Sequence, residues 1–241
     1  GLPSTSRSSG NGCFNTNWTS TYKYSIKVTA NGQTYSTCRS WDTSYEWRTV
    51  GLLGVGFGLV GLDRWIIATL FPTMAVDLGL PAGEIGRLSG WLGIAWGVLA
   101  ICSGRLSDRI GHRKVLIPAI ILFSLLSGLS GMVQGLMGLI VIRVLMGAME
   151  GTYCPTSFTA TAVASKPERR GFNQGLQQSG FALMGFALGP IIATQLLGVV
   201  SWRFVFWICA LPGFIVGVLL YFHLREAKDT QAGALLGATE G

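Results

Sequence analysis

The chain has 241 residues, of which 49% are hydrophobic and only 12% charged, where soluble domains average about a quarter charged. A net charge of +7 would suit a nucleic-acid binder, but the basic residues form no single stripe interleaved with aromatics. They sit in short clusters between apolar runs, which argues against nucleic acid as a partner and for a lipid bilayer.

Residues 1–48 form a polar head rich in Ser, Thr and Asn, without the apolar core of a cleavable signal peptide. Within it Tyr24–Ala30 alternates, Asn31-Gly32 is a turn signal and Gln33–Thr37 can return, the pattern of a small hairpin. One hairpin is marginal alone. Asn17-Trp18-Thr19 fits a glycosylation sequon, and Cys13 and Cys38 could pair only if the head were exported. No function is legible here. Disorder, a wrongly assigned start and a fused stretch stay open beside the hairpin.

A bilayer span needs about 20 mostly apolar residues. That ruler predicts helix 1 near Val50–Val76, helix 2 near Gly86–Ser103 and helix 3 near Val115–Gly131. Helix 4 follows near Gly135–Val163, helix 5 near Phe172–Val199 and helix 6 near Trp202–Phe222. Small residues recur four apart, as at Gly147/Gly151 and Gly185/Gly189, the spacing that lets helices approach closely in lipid. Cys102, Cys154 and Cys209 lie inside these runs and read as small buried hydrophobes. The chain offers no nucleophile–base pair, no Cys/His metal spacing and no Gly-rich phosphate loop. It therefore reads as no enzyme, with no cofactor or metal.

Orientation follows from loop charge. Arg105, Arg109, Arg113, Lys114, Lys166, Arg169, Arg170, Arg225 and Lys228 fall on one side, against Arg87 and Arg203 on the other. Basic residues are retained inside, so the nine face the cytoplasm of a bacterial-type inner membrane. Both ends of the helical unit, residues 49–224, then lie inside, and residues 225–241 form a cytoplasmic tail.

Away from the ends of the predicted spans, where Arg87 and Arg203 lie, only Asp63, Arg64, Arg143 and Glu150 are charged. Each would cost about 2.5–3.5 kcal/mol at mid-bilayer on insertion scales, so four unpaired charges approach the stability of a whole domain. They are expected to face one polar cavity and compensate one another. Arg143 and Glu150, seven apart on helix 4, share a face, whereas Asp63 and Arg64 point about 100° apart. One arrangement aims Arg64 at the cavity and Asp63 at a neighbouring helix. A purely structural ion-pair network is the alternative. In favour of function, buried carboxylates can load protons, and a guanidinium suits an anionic substrate.

Gly104-Arg105-Leu106-Ser107-Asp108-Arg109-Ile110-Gly111-His112-Arg113-Lys114 reads as the loop between helices 2 and 3. Its Gly, Asp, Arg, Gly and paired basic residues resemble the signature loop of major-facilitator transporters, with His112 where that family often has Arg. The resemblance implies that Gly104, Asp108, Arg109, Gly111, Arg113 and Lys114 form a gating contact with a second six-helix half. It implies an all-α membrane protein whose six helices form two inverted three-helix repeats, half of a major-facilitator fold working by alternating access.

A narrower resemblance lies in Leu62-Asp63-Arg64 and in Arg143-Val144-Leu145-Met146-Gly147-Ala148-Met149-Glu150-Gly151 followed by Pro155. With Pro167-Glu168-Arg169-Arg170-Gly171, Gly189-Pro190 and Ser201-Trp202-Arg203-Phe204-Val205-Phe206, these look like the anion:cation symporter branch. That branch often has a polar residue just before the Asp, where this chain has Gly61-Leu62. Carried over, the likeness makes Asp63 and Glu150 the proton-coupling pair, Arg64 a contact for a small anionic substrate, and Arg143 the holder of Glu150. Gln174, Gln177 and Gln178 share a face of helix 5. Gln177 and Gln178 are candidates to bond a hydroxylated substrate, with polar contact between helices as the other reading. Leu224–Gly241 resembles the start of the central loop that would lead to the second half. A drug or metabolite proton antiporter of the same fold, and a non-transporting membrane fragment or scaffold, are the alternatives.

Overall fold

The computed structural model describes residues 5–8, 21–30 and 33–224, with side chains from residue 42 onward. The chain divides into two units, Gly1–Arg48 and Thr49–Gly241.

In the first unit, β1 (Thr5–Ser8), β2 (Thr21–Ala30) and β3 (Gln33–Asp42) form an antiparallel sheet in the order β1-β2-β3. β2 and β3 pair from Thr21↔Asp42 to Ala30↔Gln33, so the expected hairpin forms with longer strands. β1 adds beside β2, with Thr5 opposite Val28. The Asn31-Gly32 turn signal, the sequon at Asn17 and Cys13 lie outside the described residues, as does the tail from Arg225.

The rest of the described chain is helical. Among the described residues six helices are long and apolar enough to cross a bilayer: helix 1 (Thr43–Leu78), helix 2 (Glu84–Ile110), helix 3 (His112–Ser130), helix 4 (Leu136–Ala164), helix 5 (Pro167–Leu197) and helix 6 (Trp202–His223). Each expected span is found, most of them extended. In hydrocarbon every backbone polar group needs an internal partner, so apolar runs of this length form helices. Helix 5 changes winding on the way. An α-helical part, Arg170–Ala182, passes into a π-helical turn, Leu183–Leu188, and then into Gly189–Leu197. Pro190 has no N–H to give the preceding turn, and the wider winding falls just before it.

One expectation is corrected at the junction of helices 2 and 3. The stretch from Gly104 to Lys114 is not a loop, because helix 2 continues through Ile110 and helix 3 begins at His112. Only Gly111 lies between, at φ 101°, a conformation that favours glycine. Arg, Lys and Leu are good helix formers, so the basic residues ride on helix ends without breaking them. Across the junction the Gly111 N–H donates to the Ser107 carbonyl at 3.0 Å, and Ser107 Oγ lies 2.6 Å from His112 Nδ1.

Helix packing is set by glycine. A Cβ on Gly147 or Gly151 of helix 4 would run into the carbonyls of Leu92 and Trp96, so helix 2 lies against helix 4 backbone to backbone. Helix 1 meets helix 5 the same way. A Cβ on Gly61 would sit 2.6 Å from the Phe181 carbonyl, and one on Gly180 would sit 2.7 Å from that of Gly54. Helix 3 packs on helices 4 and 6, and a Cβ on Gly213 of helix 6 would lie 3.9 Å from Leu59 of helix 1. Exchanging helices 1, 2 and 3 for 4, 5 and 6 maps each of these contacts onto another in the set. Two inverted three-helix repeats produce that closure.

Candidate functional site

Asp63, Arg64, Arg143 and Glu150, the charges set deep in the spans, come together where helix 1 faces helix 4. Arg64 Nη2 lies 2.7 Å from Glu150 Oε2, and Arg64 Nε donates to the same oxygen at 2.8 Å. Arg143 Nη1 lies 2.8 Å from Asp63 Oδ2, and Ser127 Oγ of helix 3 donates to Asp63 Oδ1 at 2.7 Å. All four charges are therefore compensated, as their cost in hydrocarbon demands.

The pairing differs from the expected one. Arg143 holds Asp63 and not Glu150. Seven helical residues put about 10.5 Å between Arg143 and Glu150 along the axis. The Cα–Cβ bond of Arg143 also tilts toward the helix start, away from Glu150. Asp63 points at helices 3 and 4, in keeping with the arrangement that turns it toward a neighbouring helix.

The two pairs differ in access. The Arg143 and Asp63 side chains are 2% and 3% exposed, whereas Arg64 is 31% exposed above a fully buried Glu150. The Arg143 guanidinium lies 5.9 Å from the Phe206 ring centre, and that of Arg64 lies 5.6 Å from Trp96. Trp96 stands there because Gly151 admits the helix 2 backbone at that level. Leu62 is buried and Gly61 is needed for the approach of helix 5, so neither offers a polar contact beside Asp63. Glu150 Oε1 is buried and has no hydrogen-bond partner among the described residues.

The glutamines do not act together. Gln177 is fully buried and its Nε2 donates to Ser157 Oγ of helix 4 at 2.9 Å, a polar contact between helices. Gln178 is exposed and Gln174 half-buried. Cys154 is buried as expected, whereas Cys102 is exposed and Cys209 half-buried.

At the junction of helices 2 and 3, Arg113 Nη2 donates to the Tyr221 carbonyl at 2.7 Å, tying helix 3 to the end of helix 6. At the opposite end, Asp77 in the last turn of helix 1 accepts from Trp202 Nε1 at 3.1 Å and from Arg203 Nη2 at 3.2 Å. Arg203 Nη1 also donates to the Val133 carbonyl at 2.9 Å. The sequence reading missed Asp77, because it ended helix 1 at Val76, and Ser127, because a lone serine in an apolar run gives no signal. A polar residue on a helix packed against Asp63 was the clue available.

Residues 53–237 match the family model described as Major Facilitator Superfamily. The chain is 32% identical over 179 residues to a probable 4-methylmuconolactone transporter of Cupriavidus pinatubonensis, covering 73% of this chain and 41% of that protein. It is 30% identical over 168 residues to a hexuronate transporter of Bacillus subtilis, covering 68% of this chain and 39% of that protein. The chain thus spans about two fifths of the length of these curated relatives. Among solved structures, a bacterial homologue of the human lysosomal transporter Spinster, inward-facing and unoccupied, superposes with a TM-score of 0.65 at 19% identity. That match covers 76% of this chain and 43% of the other, and it shows the fold.

Proposed function

The chain belongs to the Major Facilitator Superfamily, a family of membrane transporters and not of enzymes, and on that premise we propose that it handles substrate and proton in the uptake of a small organic anion by alternating access. The observation that carries this reading is the Arg64–Glu150 pair, a partly exposed guanidinium whose buried partner is a carboxylate. A substrate carboxylate has the shape and charge of Glu150 and can replace it on Arg64, where a bidentate contact is available. Glu150 would then be left buried without its counter-charge, and taking up a proton removes the cost. Anion and proton are coupled by that exchange. The proton side of the cycle lies with the carboxylates of the cluster, Asp63 and Glu150. Gln178, exposed on helix 5, is the glutamine left to meet a substrate.

The hexuronate carrier among the relatives supports an anionic substrate. The distribution of basic residues, nine against two, supports a bacterial-type inner membrane with both ends of the helical unit in the cytoplasm. In that frame Gly104, Asp108, Arg109, Gly111, Arg113 and Lys114 form the cytoplasmic edge that meets a second six-helix half.

The test uses proteoliposomes holding this unit joined to a complementary half, with a labelled hexuronate and other small carboxylates as probes. A pH gradient should drive accumulation. Glu150→Gln should abolish it while sparing counterflow exchange, and Arg64→Ala should abolish anion binding. Uphill accumulation by Glu150→Gln would falsify the coupling. Proton-driven export that is indifferent to Arg64→Ala would establish the antiporter instead.

A further inference from the structure

Arg64 and Trp65 are consecutive on helix 1, about 1.5 Å apart in depth and about 100° apart around the axis. Both are partly open, the Arg64 side chain at 31% and Trp65 at 37%. Ala68, one turn on, falls between their two directions and is exposed. The three therefore frame one opening on helix 1, with a cation on the helix 4 side, an indole on the helix 5 side and a small residue between them. Lipid covers a guanidinium only at a large cost, so the opening belongs to the polar cavity.

The helix 5 rim of that opening is aromatic. The Trp65 and Phe186 ring centres lie 4.6 Å apart at an angle of 48°, and Phe181 meets Phe186 edge-on at 6.4 Å. Small residues seat the indole there, since a Cβ on Gly185 would sit 3.0 Å from Trp65 Cδ1 and one on Gly189 3.4 Å from Trp65 Cβ. Phe186 is exposed and rides on the π-helical turn Leu183–Leu188, a departure from α winding that recurs at functional sites. Hydroxyl groups at this depth are turned back on their own helices. Thr69 Oγ1 donates to the Trp65 carbonyl at 3.0 Å, and Thr152 Oγ1, two residues from Glu150, donates to the Ala148 carbonyl at 2.9 Å. Gln178 stands about two turns along helix 5 from Phe186. A flat ring meets partners in this opening, and a row of sugar hydroxyls does not.

We propose that the substrate is an aromatic carboxylate, with its carboxylate on Arg64 and its ring over Ala68 against Trp65 and Phe186. This rests on the anion reading above and deepens it by assigning the rest of the molecule. Ring faces and edges attract one another beyond the burial of their area, so Trp65 and Phe186 select a ring while Arg64 accepts any carboxylate.

The test is titrated saturation-transfer NMR on the 241-residue chain in lipid nanodiscs, with the signal of empty nanodiscs subtracted. The probes are benzoate, cyclohexanecarboxylate, acetate and galacturonate. Every residue of the opening belongs to this chain, so no second half is needed. Benzoate should bind about tenfold or more tighter than acetate or galacturonate, and tighter than cyclohexanecarboxylate. Phe186→Leu and Trp65→Leu should each weaken benzoate about 3–10-fold while moving acetate far less. Ala68→Leu, which fills the floor of the opening, should exclude benzoate more strongly than acetate. Phe186 and Ala68 are exposed, so their variants decide the matter even if Trp65→Leu does not fold, and circular dichroism checks helix content in each. Galacturonate binding as tightly as benzoate, with both lost in Arg64→Ala, would overturn the aromatic assignment and leave the anion reading intact. An equal loss of every acid in Phe186→Leu would also overturn it, because the rings would then only shape the fold. Benzoate binding indifferent to Arg64→Ala, or no binding by any of the four probes, would remove the anion reading and the proposal with it.

Discussion

The Asp63–Arg143 and Arg64–Glu150 pairs join the same two helices with contacts of 2.8 and 2.7 Å, yet one is sealed on both sides and the other keeps its guanidinium about a third exposed. Contact distance therefore says little about what a buried pair does. What separates them is the surroundings. Helix 3 gives Asp63 a hydroxyl and helix 6 gives Arg143 an aromatic face, whereas Arg64 rests on Trp96 beside an open side. The first pair fixes helix 1 against helix 4. The second leaves one member available for exchange.

The sharpest way to break that contrast is Arg143→Ala. It strands Asp63 in the sealed site and should cost about 3–5 kcal/mol of stability in denaturant unfolding of the bundle in nanodiscs. Replacing both members, Asp63→Leu with Arg143→Met, should recover most of it, since a buried pair exchanged for packed apolar groups is often neutral. A single Arg143→Ala variant as stable as the parent would make the sealed pair idle.

Arg64→Ala should cost less than half as much in the same measurement. Its side chain is already partly in solvent, which weakens the attraction, and Glu150 can be neutralised by a proton. Equal losses for the two arginine variants would erase the proposed difference between the pairs.

Next in size, Gln177→Ala should cost about 1–3 kcal/mol by leaving Ser157 without its buried donor. Gln178→Ala, one residue on but exposed, should stay within about 0.5 kcal/mol. Thermal melts of the two variants side by side would show whether the buried glutamine fastens helix 5 to helix 4. The smallest effect is expected from Arg109→Ala at the basic edge, again within about 0.5 kcal/mol.

Much of this was legible in the sequence, and the reason is the bilayer. Apolar runs of span length can only be helices there, and charges inside them must meet, so six helices and the cluster of Asp63, Arg64, Arg143 and Glu150 follow from composition and spacing. Who pairs with whom did not follow. The spacing along helix 4 argues against Arg143 pairing with Glu150, but which carboxylate it meets instead depends on the depth at which helix 1 crosses helix 4. The junction of helices 2 and 3 misled for another reason. Dense charge was read as loop, although Arg105, Asp108 and Arg109 lie on the last turns of a helix that has outrun the apolar stretch. Gly111 was the one residue there whose chemistry pointed to a break.

That glycine has a mechanical side. Helix 2 has 27 residues and at 1.5 Å per residue is about 40 Å long. With a single residue joining it to helix 3, the two rods share one pivot made of one φ and one ψ. A change of about 10° at that pivot swings the far end of helix 2, near Glu84, through about 7 Å. Leu92 and Trp96 lie along the arm, so a small rotation at one edge of the membrane becomes a displacement of several ångströms beside Arg64. A second flexible residue inserted next to Gly111 would give the rods separate joints, and the gearing would be lost.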